Sequence, residues 1–221
     1  MDGQLVYNIL TGPSTLDFLK HYGLMIAGNS AAGPVAYRVF NNSDANSTRY
    51  KMEPDLGMPP AGAHSFQAQN VPMQKEEKDG VTMVCIPAMG GLRLPGAGGP
   101  NIMVTGLLTA CSFAYLPLPN GELKVAHIMP STRVSGDAAD SKIATSGMSL
   151  ANNLAASGNF AGQSGQGMKV FGSNLYQHQR EGGAFSACSI IGVRRMNGWA
   201  LYAQIHTQQA RNVVTAVQFY P

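Results

Sequence analysis

The stretch VTGLLTACSFAYLPLPNGELKVAHIMPS, Val104 to Ser131, decides how the chain is read. An apolar run enters a small-residue step at Thr109-Ala110, and a β-rich segment follows from Cys111 to Leu116. Pro117-Leu118-Pro119-Asn120-Gly121 is turn chemistry and Glu122 to Ile128 runs back, which predicts a hairpin. Two registers compete. A loop over Pro117 to Gly121 sets Leu116 opposite Glu122, Phe113 opposite Val125 and Cys111 opposite His127. A tight Asn120-Gly121 turn would instead set Cys111 opposite Pro130 and turn His127 away. The prolines at 117 and 119 favour the longer loop, because proline suits a loop or a strand's edge.

In that expected register the thiol and imidazole are directly opposed, with Cβ atoms about 4.5–5.5 Å apart, close enough to share a hydrogen bond. Phe113, Tyr115, Leu123 and Val125 fall on the same face, so it should point into the core. Burial alone raises a cysteine pKa. A thiolate there calls for an imidazolium neighbour, or for backbone N–H groups at the Thr109-Ala110-Cys111 step.

Thr105 lies six residues before the cysteine, LTAC closes on it through small residues, and VAHIMPS carries the histidine back. These residues resemble the Cys–His–Thr glutamine deamidases: bacterial chemotaxis receptor deamidases, the cytotoxic necrotizing factor catalytic domain and the Burkholderia lethal factor. The resemblance is confined to Val104 to Ser131. It implies Cys111 as nucleophile, His127 as base and Thr105 as the group that orients the imidazole through its hydroxyl or its carbonyl. Ala110 stands where those families usually have glycine, and Thr109 where the toxins usually have serine. The implied activity is deamidation of a glutamine side chain on a protein through a thioester, with no metal or organic cofactor. It further implies a bacterial toxin or effector, secreted without a Sec-type signal peptide, that modifies a host protein in the host cytosol.

Other readings use the same residues. A cysteine protease or a transglutaminase-like acyltransferase would employ the same Cys/His pair and divert the acyl group differently. A cysteine in an apolar strand is also an ordinary small core residue. A non-enzymatic β-rich binding or structural module would therefore need no reactive thiol.

Composition narrows the classes. The 221 residues are enough for a substantial core, and one domain over 1–221 is the expectation. Charged residues make up 12 %, about half the usual share, while 26 glycines and 13 prolines predict many turns. A net charge of +3, with no basic block beyond Arg194-Arg195, argues against a nucleic-acid or anionic-membrane surface. No run reaches transmembrane length, and MDGQLVYNIL lacks a basic n-region and a long apolar core. The three cysteines, Cys85, Cys111 and Cys188, are too widely spaced for a zinc knuckle and odd in number for a disulfide framework. The sequence sets no oligomeric state.

Along the chain, a helix is expected over Thr15 to Tyr22, capped by Ser14 or Thr15 and stopped by Gly23. Val35 to Phe40 reads as a strand and Asn41 to Thr48 as a polar turn, while Met52 to Asp79 reads as one long loop broken by prolines and glycines. Val81 to Ile86 is a strand in which Cys85 packs, and Gly90 to Gly99 is a glycine-rich loop without the ending of a phosphate loop. Past the hairpin, Ser131 to Ser141 is polar, Met148 to Ala156 is helical and Gly158 to Gly167 is a loop. Strands follow at Lys169 to Leu175, Ser186 to Val193, Trp199 to His206 and Val213 to Phe219, with Met196-Asn197-Gly198 as a hairpin turn. The sum is an α+β fold: a mixed or antiparallel sheet or sandwich flanked by a few helices and long loops.

Cys188 and His206 form a rival pair, but a turn centred between Asn197 and Gly198 would set Cys188 opposite Thr207. His21, His64 and His178 lack ligand spacing. Asp137 and Asp140 read as a solvated turn, although either could orient an imidazole.

Overall fold

The computed structural model describes residues 1–43, 48–75, 77–79, 82–84, 92–109, 111–118, 121–129, 169–172, 175–176, 186–196, 198–207 and 213–221. Two short helices, α1 (Gly3–Thr11) and α2 (Thr15–His21), open the chain. The strands that follow are β1 (Gly23–Ile26), β2 (Gly33–Asn41), β3 (Arg49–Pro54), β4 (His64–Val71), β5 (Met73–Lys75), β6 (Glu77–Asp79), β7 (Thr82–Val84) and β8 (Leu92–Leu94). After them come β9 (Ile102–Thr105), β10 (Ser112–Pro117), β11 (Leu123–Met129), β12 (Lys169–Phe171), β13 (Ser186–Arg195), β14 (Gly198–Thr207) and β15 (Val213–Tyr220).

An eight-stranded mixed sheet runs β1-β3-β2-β4-β9-β13-β14-β15, with parallel pairing at β1/β3 and β4/β9. A smaller sheet runs β12-β10-β11-β5, with β8 also paired to β11, and β6 pairs with β7. The architecture is the expected α+β class. Alternation along the strands assigns the faces of the large sheet. Val104, Ile191, Val193, Ala200 and Tyr202 pack with Val6, Leu10, Phe18 and Leu19 of the helices. Met103, Cys188, Ile190, Trp199, Leu201 and Ala203 point the other way and pack on Phe113, Tyr115, Leu123 and Val125 of the small sheet. The large sheet thus lies between helices and a second sheet.

Side-chain hydrogen bonds fix the helical layer. Asp2 caps α1 by accepting from the Leu5 N–H at 2.9 Å, which satisfies one of the first-turn donors that a helix leaves open. Gln204 of β14 is buried and fully used: its Nε2 donates to the carbonyls of Leu19 and Tyr22, while its Oε1 accepts from the Leu24 N–H. Arg195 donates to the Thr11 carbonyl at 2.6 Å and to Thr15 Oγ1 at 2.7 Å, tying the junction of the two helices to β13.

Three expectations change. The segment Met52 to Asp79 is not one loop, because β4, β5 and β6 lie within it. Its prolines and glycines between Asp55 and Gly62 form only the β3–β4 connection, and β4 then places Asn70 inside the sheet. Asn70 is satisfied there by the Tyr37 hydroxyl and by the carbonyls of Asn29 and Ala31, so a polar residue is accommodated in a buried strand. Helix α1 is an addition to the expected elements. Gly90 to Gly99 contains β8. The helix expected over Met148 to Ala156, the segments Ser131 to Ser141 and Gly158 to Gly167, and Cys85 lie outside the described residues.

Gly3 marks a close approach. A Cβ there would lie 2.1 Å from the Val39 carbonyl oxygen and 2.6 Å from the His64 nitrogen, both backbone atoms. Gly3→Ala should therefore cost about 1–3 kcal/mol or more in a denaturant melt. The adjacent exposed Gln4→Ala should stay within about 0.5 kcal/mol.

Candidate active site

The hairpin forms, but its register differs from the expected one by two residues. Phe113 pairs with His127, Tyr115 with Val125 and Pro117 with Leu123, so Cys111 is not directly opposed to His127. The cause is the loop. Pro117 ends β10 inside the ladder, and Leu118 N–H donates to the Glu122 carbonyl at 2.9 Å, with Gly121 in the left-handed region at φ 72°. A shift of two residues preserves the faces. Cys111, just before β10, packs in the same cluster as Phe113, Tyr115, Leu123 and Val125. Continued one residue past the Ser112–Ile128 pair, the register sets Cys111 diagonal to His127, a relation in which sheet neighbours are about 7–8 Å apart.

Thr105 closes on His127 from the other sheet. At the end of β9 it pairs with Val71, the last residue of β4, and its Oγ1 lies 2.8 Å from His127 Nδ1. The same Oγ1 donates to the Val71 carbonyl at 2.8 Å. A threonine hydroxyl has one proton, so if that proton is on Val71 the oxygen can only accept from the imidazole. This sets the tautomer: Nδ1 carries the proton and Nε2 keeps a lone pair. Among the described residues Nε2 has no hydrogen-bond partner.

Burial defines the electrostatics. His127 is 1 % exposed and Cys111 5 %, and desolvation pushes the His127 pKa down to about 4. The imidazole is therefore neutral near pH 7, a base rather than an imidazolium. The expectation that an imidazolium would hold a resting thiolate does not fit this environment.

Further residues shape the site that sequence reasoning passed over. Tyr176 donates its hydroxyl to the Cys111 carbonyl at 2.6 Å, and its ring stacks on Phe171 at 6.1 Å. Burial, followed by the influence of Cys111, pushes the Tyr176 pKa up, so it stays a donor. Met73 of β5 pairs alongside His127 and brings its Sδ to 3.9 Å from Cys111 Sγ. Val71 and Met73 flank Pro72, where the chain passes from one sheet to the other. That Val-Pro-Met break inside a segment read as loop was the available signal. Ala110, one side of the expected oxyanion step, lies outside the described residues.

The rival pair is not brought together. Arg195 pairs with Gly198, so the β13–β14 pairing is centred one residue earlier than expected; Cys188 pairs with Ile205 and Ala187 with His206, which puts Cys188 and His206 on opposite faces. His206 Nε2 lies 3.3 Å from Ser189 Oγ, and burial pushes the Cys188 thiol pKa strongly upward. His64 stacks on Phe66, and His21 Nδ1 lies 2.7 Å from the Asp17 carbonyl. His178, Asp137 and Asp140 lie outside the described residues. Among the described residues no three His, Cys, Asp or Glu side chains converge as metal ligands, and no helix is long and apolar enough to cross a membrane. Comparison of the sequence with protein-family models and with curated proteins found no match.

A histidine buried neutral ties stability to pH. With the folded pKa near 4 and the unfolded one near 6.5, the unfolded chain binds the extra proton between those values. The contribution is fully present above pH 6.5 and is lost as pH falls toward 4, on the order of 3 kcal/mol in all. Denaturant melts from pH 8 to pH 4 should show this slope in wild type, and His127→Gln should flatten it.

Proposed function

We propose that the chain is a cysteine-dependent amidohydrolase that deamidates glutamine side chains on a protein, with Cys111 as nucleophile, His127 as base and Thr105 as the orienting group. The supporting observation is the chain Val71 carbonyl, Thr105 hydroxyl, His127 Nδ1, which leaves a neutral imidazole with Nε2 as its basic atom on the face shared with Cys111. Cys111 attacks the carboxamide carbon while Nε2 takes the thiol proton. The imidazolium formed returns that proton to the departing nitrogen, and ammonia leaves a thioester. Water, deprotonated by the same Nε2, then adds to the thioester and yields glutamate and the free thiol. Low exposure strengthens each polar interaction formed during the reaction. The toxin or effector setting, with a host protein as substrate, belongs to this proposal and rests on the resemblance of Val104 to Ser131.

The near-complete burial of Cys111 and His127 favours one second reading, a β-rich binding module in which both are core residues. Labelling separates the two. On the enzyme reading iodoacetamide alkylates Cys111 in wild type and much more slowly in His127→Gln; equal rates favour the module.

The activity itself is tested by intact mass spectrometry of candidate host proteins incubated with wild type and with Cys111→Ala. The expected result is a gain of about 1 Da per site, NH2 replaced by OH, with wild type only. Peptide cleavage or acyl transfer without ammonia release would point to the protease or acyltransferase chemistry instead.

Thr105 carries its own expectation. Thr105→Ser keeps the hydroxyl and should retain the rate of Cys111 alkylation. Thr105→Val removes the acceptor of Nδ1–H, frees the tautomer and should slow it about 10²-fold or more. An unchanged rate and an unchanged apparent histidine pKa in the valine variant would remove the side chain from the proposal.

A further inference from the structure

The small sheet places Met73 beside the candidate pair. β5 runs parallel to β11 with Met73 aligned on His127, so its side chain leaves the sheet on the same side as the imidazole. Yet Met73 is 51 % exposed, against 1 % for His127 and 5 % for Cys111. The space between the sheets therefore opens to solvent at this residue. From that position the thioether extends past β11 to bring Sδ to 3.9 Å from Cys111 Sγ. The thiol thus has a half-exposed side chain lying against it. Methionine is unbranched and has three rotatable side-chain bonds, so it can swing clear without moving the strand.

We propose that Met73 is the movable cover of the Cys111 thiol and the apolar wall that selects what reaches it. A group that displaces the thioether must be slender, because Cys111 and His127 remain buried on the strands beneath. An unbranched side chain with a methylene stem and a terminal carbonyl has that shape. Its stem would replace the methylenes of Met73 against the thiol, and its carbonyl would reach the sulfur. A branched or ring-bearing group at the same depth would meet the strands. This inference rests on the proposed function for what the thiol does with such a group. The cover itself is a matter of access alone.

The test uses two thiol reagents, narrow iodoacetamide and rigid N-phenylmaleimide, with peptide mapping to read the Cys111 adduct apart from the other cysteines. Wild type should label far faster with iodoacetamide. Met73→Ala should raise the phenylmaleimide rate about tenfold as the accessible fraction of thiol grows, and the iodoacetamide rate by less. Met73→Leu refills the space and should keep the wild-type ratio of the two rates. A ratio in Met73→Ala equal to wild type would overturn the cover. The measurement does not depend on catalysis: loss of the His127 dependence of alkylation would sink the nucleophile and base assignment while leaving the Met73 ratio to be read on its own. Matching far-ultraviolet circular dichroism and melting temperatures confirm that each variant is folded.

Discussion

One hydroxyl proton governs the region between the two sheets. Val71 ends β4 just before Pro72 carries the chain into β5, and its carbonyl takes the proton of Thr105. That bond leaves the threonine oxygen nothing to offer His127 except a lone pair, so the imidazole must present its Nδ1–H. A backbone atom at the point where the chain changes sheets thereby sets the protonation pattern of a side chain in the other sheet. Proline at 72 fits the crossing, since it has no N–H that a continuing ladder would need.

Burial then acts on the tautomer so fixed. Desolvated by burial, His127 stays neutral well below pH 7. A pre-formed thiolate and imidazolium would be two charges in a low-dielectric layer, and burial disfavours the imidazolium. Proton transfer on the proposed path accompanies attack on the carbonyl, when charge moves toward the oxygen. Tyr176, held as a donor by its own burial, fixes the Cys111 carbonyl and with it the peptide that carries the proposed nucleophile.

The hairpin, the strands of the second half and α2 were legible because each couples period-two or helical patterning to a turn signal. Phe113, Tyr115, Leu123 and Val125 named their face correctly, since a two-residue error of register leaves parity intact. What the sequence hid was depth. Proline at 117 read as loop, yet it closes the ladder at a strand's end, where its missing N–H costs little. β4 was hidden by Gln69 and Asn70, two buried polar residues, the second satisfied by partners distant in sequence. Thr105 was named from the resemblance of Val104 to Ser131, whereas its hydrogen bond to His127 is a contact between sheets that no local pattern encodes. Tyr176 carried no local signal and Met73 only the Val71-Pro72-Met73 break, because each reaches the site from a segment remote from the hairpin.

The two-residue shift also bears on what the site can be for. Direct opposition would let the thiol satisfy Nε2 at rest; the diagonal relation instead sets the thiol against Met73, and Nε2 has no hydrogen-bond partner among the described residues. A buried acceptor left open costs about 1–3 kcal/mol. A purely structural histidine at this position would be replaced at little loss by an apolar residue filling the same space, because its Nδ1 bond gains less than the open nitrogen costs. An acceptor that gains its partner only when a thiol proton, a leaving nitrogen or an attacking water arrives is one whose cost at rest becomes stabilisation during reaction. On the enzyme reading the open nitrogen is the atom that receives the thiol proton; on the module reading it is a cost with no return.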